Sequence, residues 1–136
     1  MNENSTTPTT TLQGDGSGNH DNTHVTSRGI CKCTLSAISP TSGTVDICGD
    51  LAGGSVCTFG CFSTVASLLT TGFVLNPTNT FYNTMGEPFR IINQNAFALR
   101  VNVDCGGTTT YIANLAASGG AVNLKTDGNC DVTTCP

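Results

Sequence analysis

Eight cysteines in a chain of 136 residues constrain this protein more than any other feature of its sequence. An even and dense set of cysteines is typical of a disulfide framework formed in an oxidising compartment. A secreted chain is expected to open with a basic segment and then an apolar one, yet residues 1–22 are rich in Thr, Asn, Gly and Ser. We therefore expect one of two histories: an export signal was removed before residue 1, or the protein is made in a reducing cytosol and oxidised after leaving it by another route.

Low charge and the lack of a long apolar stretch argue against two classes of function, nucleic-acid binding and membrane spanning. Only 10% of the residues are charged and the formal net charge is −4, which leaves no basic stripe for phosphate binding and predicts no nucleic-acid partner. The longest apolar stretch, residues 61–75, is interrupted by Ser and Thr and is shorter than the roughly 20 residues of a spanning helix. The sequence therefore predicts no membrane span. Few charges also mean a surface that tolerates association.

Two compositional regimes divide the chain. Residues 1–29 contain few apolar side chains and cannot bury enough surface to offset the entropy of ordering, so they are predicted to be a flexible N-terminal arm or connector. From residue 30 to residue 136, Val, Ile, Thr and Phe dominate and turn residues recur at short intervals. This second part is predicted to be one domain.

Short strands joined by turns are the natural interpretation of that domain. In residues 96–104, Phe97, Leu99, Val101 and Val103 alternate with polar or small residues, which predicts four hydrophobic side chains on one buried face. Further strands are predicted at 31–38, 43–48, 55–59, 89–93, 108–115, 121–126 and 130–135, with the last five strands forming a meander. Residues 61–75 fit either a strand or a helix. The expected fold class is all-β, a jelly roll or β-sandwich.

No group of residues points to catalysis or to a cofactor. The two histidines, His20 and His24, lie in the predicted arm with Asp21, and a metal site at this spacing needs a helix that the neighbouring Asn and Gly disfavour. A cysteine nucleophile needs a base held by packing, and the predicted domain contains no histidine. The sequence predicts that the protein is not an enzyme.

The cysteines favour disulfides over zinc, because none of the close cysteine pairs has the two-residue gap usual in zinc knuckles. Cys31 and Cys33 would face the same side of an extended segment about 7 Å apart, too far to bond each other. One arrangement sends them to neighbouring subunits, and the alternative is four intrachain bridges in a monomer. In the first arrangement, some of the other cysteines form bridges inside the domain, the candidates being Cys48, Cys57, Cys61, Cys105, Cys130 and Cys135.

A polar arm, paired cysteines near its end, a small Thr- and Val-rich β domain and a cysteine near the C-terminus together resemble the subunits of bacterial endospore appendages. The resemblance is architectural. It implies a jelly roll whose N-terminal connector crosses to other subunits and is fixed there by disulfides, with Cys31 and Cys33 as connector thiols and Cys130 or Cys135 as acceptors. It also implies synthesis inside the mother cell with later oxidation, which accounts for cysteines without an export signal.

The sequence thus predicts a structural subunit that assembles with copies of itself into an open helical homopolymer. We expect an extracellular or spore-surface fibre reinforced by disulfides between subunits. Exposed strand edges would supply the backbone groups for the contacts. The alternative function is a monomeric, disulfide-rich secreted binding module, such as an effector or inhibitor.

Overall fold

A computed structural model describes residues 29–49, 54–57 and 67–135 of the chain. These residues form ten β-strands. The strands are β1 (Ile30–Ser39), β2 (Gly43–Gly49), β3 (Ser55–Cys57), β4 (Ser67–Leu75), β5 (Thr78–Thr84), β6 (Pro88–Asn93), β7 (Leu99–Asp104), β8 (Tyr111–Leu115), β9 (Gly120–Thr126) and β10 (Val132–Thr134).

The strands form two sheets that pack face to face around one hydrophobic core. One sheet has four strands in the order β5-β1-β7-β8, and the other has six in the order β10-β9-β6-β2-β4-β3. Every pairing is antiparallel. The predicted all-β fold is confirmed, with a sandwich arrangement of the two sheets.

The predicted meander at the C-terminal end of the chain is wrong. β6 pairs with β2 and β9, whereas β7 pairs with β1 and β8 in the other sheet. The turn at residues 94–98 is long enough to span the roughly 10 Å between packed sheets. Because both strands carry a buried face, the chain covers the core from both sides by changing sheets instead of continuing as a hairpin.

Two further differences concern the middle of the chain. The ambiguous stretch is a strand over Ser67–Leu75, and residues 61–66 lie outside the described residues. β5 was not expected, because its sequence TNTFYNT is polar and shows no clean alternation of apolar residues. Its pairing with β1 over seven residues, from Ile30↔Thr84 to Ser36↔Thr78, is what makes it a strand.

The core confirms most of the predicted buried face. Leu99, Val101 and Val103 are buried and Arg100 between them is exposed. The inclusion of Phe97 in that face is wrong, since its side chain is 44% exposed. The reason is local: the side-chain amide of Asn93 donates to the carbonyl of Phe97, which holds residues 94–98 in a turn and delays the start of β7.

The sandwich has two ends that differ in construction. At one end the chain turns at residues 85–87, 105–110 and 127–131, and two disulfides lie there; we call it the disulfide end. At the other it turns at residues 40–42, 76–77, 94–98 and 116–119, around the buried side-chain amide of Asn93; we call it the amide end.

Candidate functional site

Two disulfides tie the start of β1 to the disulfide end of its own chain. Cys31 bonds Cys130 across a sequence separation of 99, and Cys33 bonds Cys105 across a separation of 72. Cys31, Cys33 and Cys130 therefore bond within the chain, and not between subunits as predicted. The physical reason is that both residues of β1 face inward and are at most 1% exposed, so that their sulfur atoms meet partners in the core of the same chain.

The other described cysteines are also oxidised. Cys48 on β2 bonds Cys57 on β3, across a separation of only nine residues. Cys135 is disulfide-bonded as well. Cys61 itself lies outside the described residues. The described cysteines therefore present no thiolate to a metal ion and are not available as zinc ligands.

Aspartate side chains hold the turns of the disulfide end. Asp104 accepts from the backbone N–H of Gly106 at 2.9 Å, and Asp127 accepts from that of Asn129 at 2.8 Å. Asp131 accepts from the backbone N–H of Thr109 at 2.8 Å. This last hydrogen bond lowers the pKa of Asp131, because it favours the charged form of the carboxylate. The disulfide end therefore carries three fixed carboxylates, with the exposed Lys32 at the same end of β1.

One buried asparagine organises the amide end. Asn93, on β6, is 0% exposed. Its Nδ2 donates to the carbonyl oxygens of Phe97, Leu115 and Ala116 at 2.9–3.2 Å, and its Oδ1 accepts from the backbone N–H of Asn95 at 2.9 Å. A single side chain thus joins the turn after β6 to the end of β8 and closes the sandwich without a covalent bond.

Within the described residues, both edges of the four-stranded sheet lack the usual protection. Natural sheets guard exposed edges with lysine, proline, bulges or very short strands. The edge strands β5 and β8 contain seven and five residues, respectively, with no charged residue and no proline. Among the described residues, β8 makes backbone-to-backbone hydrogen bonds only with β7. On β5 one backbone donor is occupied locally, since Thr80 N–H donates to Asn79 Oδ1 at 2.8 Å.

The edges of the six-stranded sheet are protected against strand addition by their short length. Its edge strands, β3 and β10, contain only three residues each, and very short edge strands offer little backbone for pairing. Val56 on β3 is 70% exposed and Ile112 on β8 is 47% exposed. The β3 edge of one sheet and the β8 edge of the other thus each display an exposed aliphatic side chain. Of these two strands, only β8 is longer than three residues.

The remaining predictions concern the histidines of the arm, metal sites and membrane helices. His20, Asp21 and His24, and with them nearly all of the predicted arm, lie outside the described residues. Within residues 29–49, 54–57 and 67–135, no three His, Cys, Asp or Glu side chains are grouped so that they could bind a metal ion. In the same residues, no helix is long and apolar enough to cross a bilayer.

Sequence reasoning missed the two buried asparagines, Asn83 and Asn93. Each is at most 1% exposed and each belongs to the inward face of its strand. The available signal was position: Asn93 follows Phe89 and Ile91 at a spacing of two, so it falls on the buried face. A polar residue at such a position requires several hydrogen bonds.

Comparison of this chain with protein-family models, curated proteins and solved structures gave no match.

Proposed function

We propose that this protein is a structural subunit that assembles with copies of itself into an extracellular fibre. The observation that supports the proposal is the pair of unprotected edges on the four-stranded sheet, β5 on one side and β8 on the other. Unpaired backbone groups along a sheet edge are a template for pairing with another chain. Two such edges on one sheet allow a subunit to contact a copy on each side.

The directions of the edge strands fit a repeating contact. β5 runs from the amide end towards the disulfide end, and β8 runs the opposite way. Two copies related by translation across the sheet would therefore bring β5 of one against β8 of the next in antiparallel orientation, as in the rest of the sheet. Because the contact joins two different surfaces, it need not close, and it generates an open filament.

The surface chemistry is compatible with close association of identical chains. Only 10% of the residues are charged, so repulsion between copies is weak. Disulfides in a small β protein fit a module that works outside the reducing cytosol. Within that setting, the resemblance to endospore appendages makes the spore surface the location we propose.

The proposed fibre is non-covalent as far as Cys31, Cys33 and Cys130 are concerned. These cysteines bond within the chain, so their role is to hold the subunit together. Backbone hydrogen bonds and apolar contacts at the strand edges would then join the subunits.

A charged residue on the β8 edge tests the proposal. Ile112→Lys should abolish or strongly reduce the assembly of purified protein, measured by sedimentation velocity and electron microscopy, because an edge lysine opposes strand addition. Val56→Lys is the matched control, since it places the same change on the guarded edge of the other sheet. Equal assembly of the two variants would argue against the β8 edge as the contact.

A second function is favoured by one specific observation. The three bridges whose partners are both described lie within the chain, as expected of a stand-alone secreted binding module. For such a module, wild-type protein should remain monomeric at every concentration tested. Its mass in solution under native conditions therefore separates the two functions.

A further inference from the structure

The amide end carries an open groove with an apolar floor and a polar rim. The groove has a volume of about 560 Å³ and lies where β1, β7 and β8 meet this end. Leu99 and Leu115, both core residues, form its floor. Ser39, Arg100 and Asn114 also line it, and the strand register places these three side by side across the sheet.

The rim is a row of hydrogen-bond donors without partners. Arg100, Ser39 and Asn114 are exposed, and none of their side chains has a hydrogen bond or ion pair with the described residues. The four turns of the amide end contain no charged residue, and Arg100 has no ion pair with a carboxylate of the described residues. A guanidinium flanked by amide and hydroxyl donors suits a carboxylate.

The complementary surface is on the same molecule, at its other end. The disulfide end carries the carboxylates of Asp104, Asp127 and Asp131, each holding a turn through Oδ1. The Oδ2 atoms have no partner among the described residues. These carboxylates are therefore fixed in position and have an acceptor left for a donor from outside.

Arg100 and Asp104 are aligned for contact between copies. They lie on the same strand, β7, four residues apart on its outward face. At about 3.3 Å per residue they are about 13 Å apart along the strand. When two copies are placed end to end along the strand direction, Arg100 of one and Asp104 of the next come to the same side of the sheet.

We propose that the groove at Arg100 binds the carboxylates of the disulfide end of a second copy, with Asp104 as the first partner, so that subunits stack end to end. This inference rests on the proposed function, and it adds an axial contact to the lateral contact between β5 and β8. A row of three donors facing fixed carboxylates selects this end of a copy over another amide end, which presents Arg100 itself.

A charge exchange tests this contact. Arg100→Glu and Asp104→Arg should each assemble about tenfold less well than the wild type, since like charges then face each other. An equimolar mixture of the two variants should recover assembly, because each modified end meets a complementary end on the other variant. Arg90→Glu is the matched control: it changes the net charge as Arg100→Glu does, within β6 of the other sheet and away from both ends of the proposed contact, and should assemble like the wild type.

Sedimentation velocity and electron microscopy provide the readout, with far-UV circular dichroism to confirm that each variant folds. If Asp104→Arg does not fold, the comparison of Arg100→Glu with Arg90→Glu decides. Assembly of Arg100→Glu at the wild-type level, or equal loss in Arg90→Glu, would overturn the axial contact and leave the lateral one standing. A wild-type protein that remains monomeric would overturn the proposed function and this contact with it.

Discussion

The disulfide end and the amide end of the sandwich join the same two sheets by different means. At the disulfide end, the bonds Cys31–Cys130 and Cys33–Cys105 connect β1 to distant parts of the chain. At the amide end, Asn93 makes the connection with hydrogen bonds to three carbonyl oxygens. Covalent bonds restrict the unfolded chain as well as the folded one, whereas hydrogen bonds act only where the fold holds their partners in place.

The difference extends to the surfaces. Asp104, Asp127 and Asp131 concentrate negative charge at the disulfide end, where covalent bonds already fix the chain against repulsion. The amide end carries no charge in its turns and leaves Arg100 as its nearby cation. The two ends are thereby complementary to each other, which a molecule built alike at both ends would not be.

The largest effect is expected from removing a long-range disulfide. Replacing Cys33 and Cys105 by Ala should lower the free energy of unfolding by about 4 kcal/mol, as expected for closing a long loop. The control is the replacement of Cys48 and Cys57 by Ala, whose bridge spans nine residues and should contribute about 2.5 kcal/mol. Urea or guanidinium unfolding measures both. If the short bridge proves the more stabilising, the length of the closed loop does not set the contribution of these disulfides to stability.

A core substitution near the amide end comes next. Leu99→Ala should cost about 3 kcal/mol, because the leucine is 1% exposed and its removal leaves a cavity. Phe97→Ala, two residues earlier and 44% exposed, should cost much less. Thermal unfolding of the two variants measures the difference. Similar losses would mean that β7 begins before Leu99.

The two buried asparagines sharpen the comparison further. Asn93→Ala should cost about 2 kcal/mol, since it leaves buried carbonyl oxygens without donors. Asn83→Ala, nearer the disulfide end, should cost less, because Asn83 Oδ1 has no partner even in the intact protein. Denaturant midpoints measured on the same day provide the test. A larger loss for Asn83 would reverse the roles assigned to the two amides.

The smallest effect concerns acid stability at the disulfide end. The pKa of Asp131 is lowered by the Thr109 backbone hydrogen bond, so the carboxylate stabilises the fold above its unfolded pKa of about 3.9 and ceases to do so as the pH falls through the lower, folded value. Asp131→Asn keeps an oxygen acceptor but removes this dependence. Unfolding midpoints between about pH 2 and pH 7 should therefore fall less steeply in the variant than in the wild type, and parallel curves would contradict the role of the charge.

Much of the fold could be predicted from residue patterns. The alternation of Leu99, Val101 and Val103 identified a buried strand face, and the turn residues located most of the strands. β5 was missed because strand pairing, and not its own polar sequence, makes it a strand. The sheet assignment of β6 and β7 was missed because nothing in the sequence distinguishes a hairpin from a turn that crosses between sheets.

The candidate site was less predictable than the fold. Eight cysteines allow 105 intrachain pairings, and only the fold brings Cys31 to Cys130. The edges became visible once the strand order was known, since β8 is at an edge and β7 is central in the same sheet. Likewise, Ser39, Arg100 and Asn114 are far apart in sequence, and strand register alone aligns them.

Folded, internally cross-linked subunits should assemble through non-covalent contacts. The mass of wild-type protein in native buffer and in hot detergent without reductant shows whether they do. We predict large assemblies in native buffer that dissociate in detergent to single chains of 13.9 kDa. A monomer in native buffer would contradict assembly, and a detergent-resistant ladder that collapses only with reductant would contradict the intrachain pairing of the cysteines.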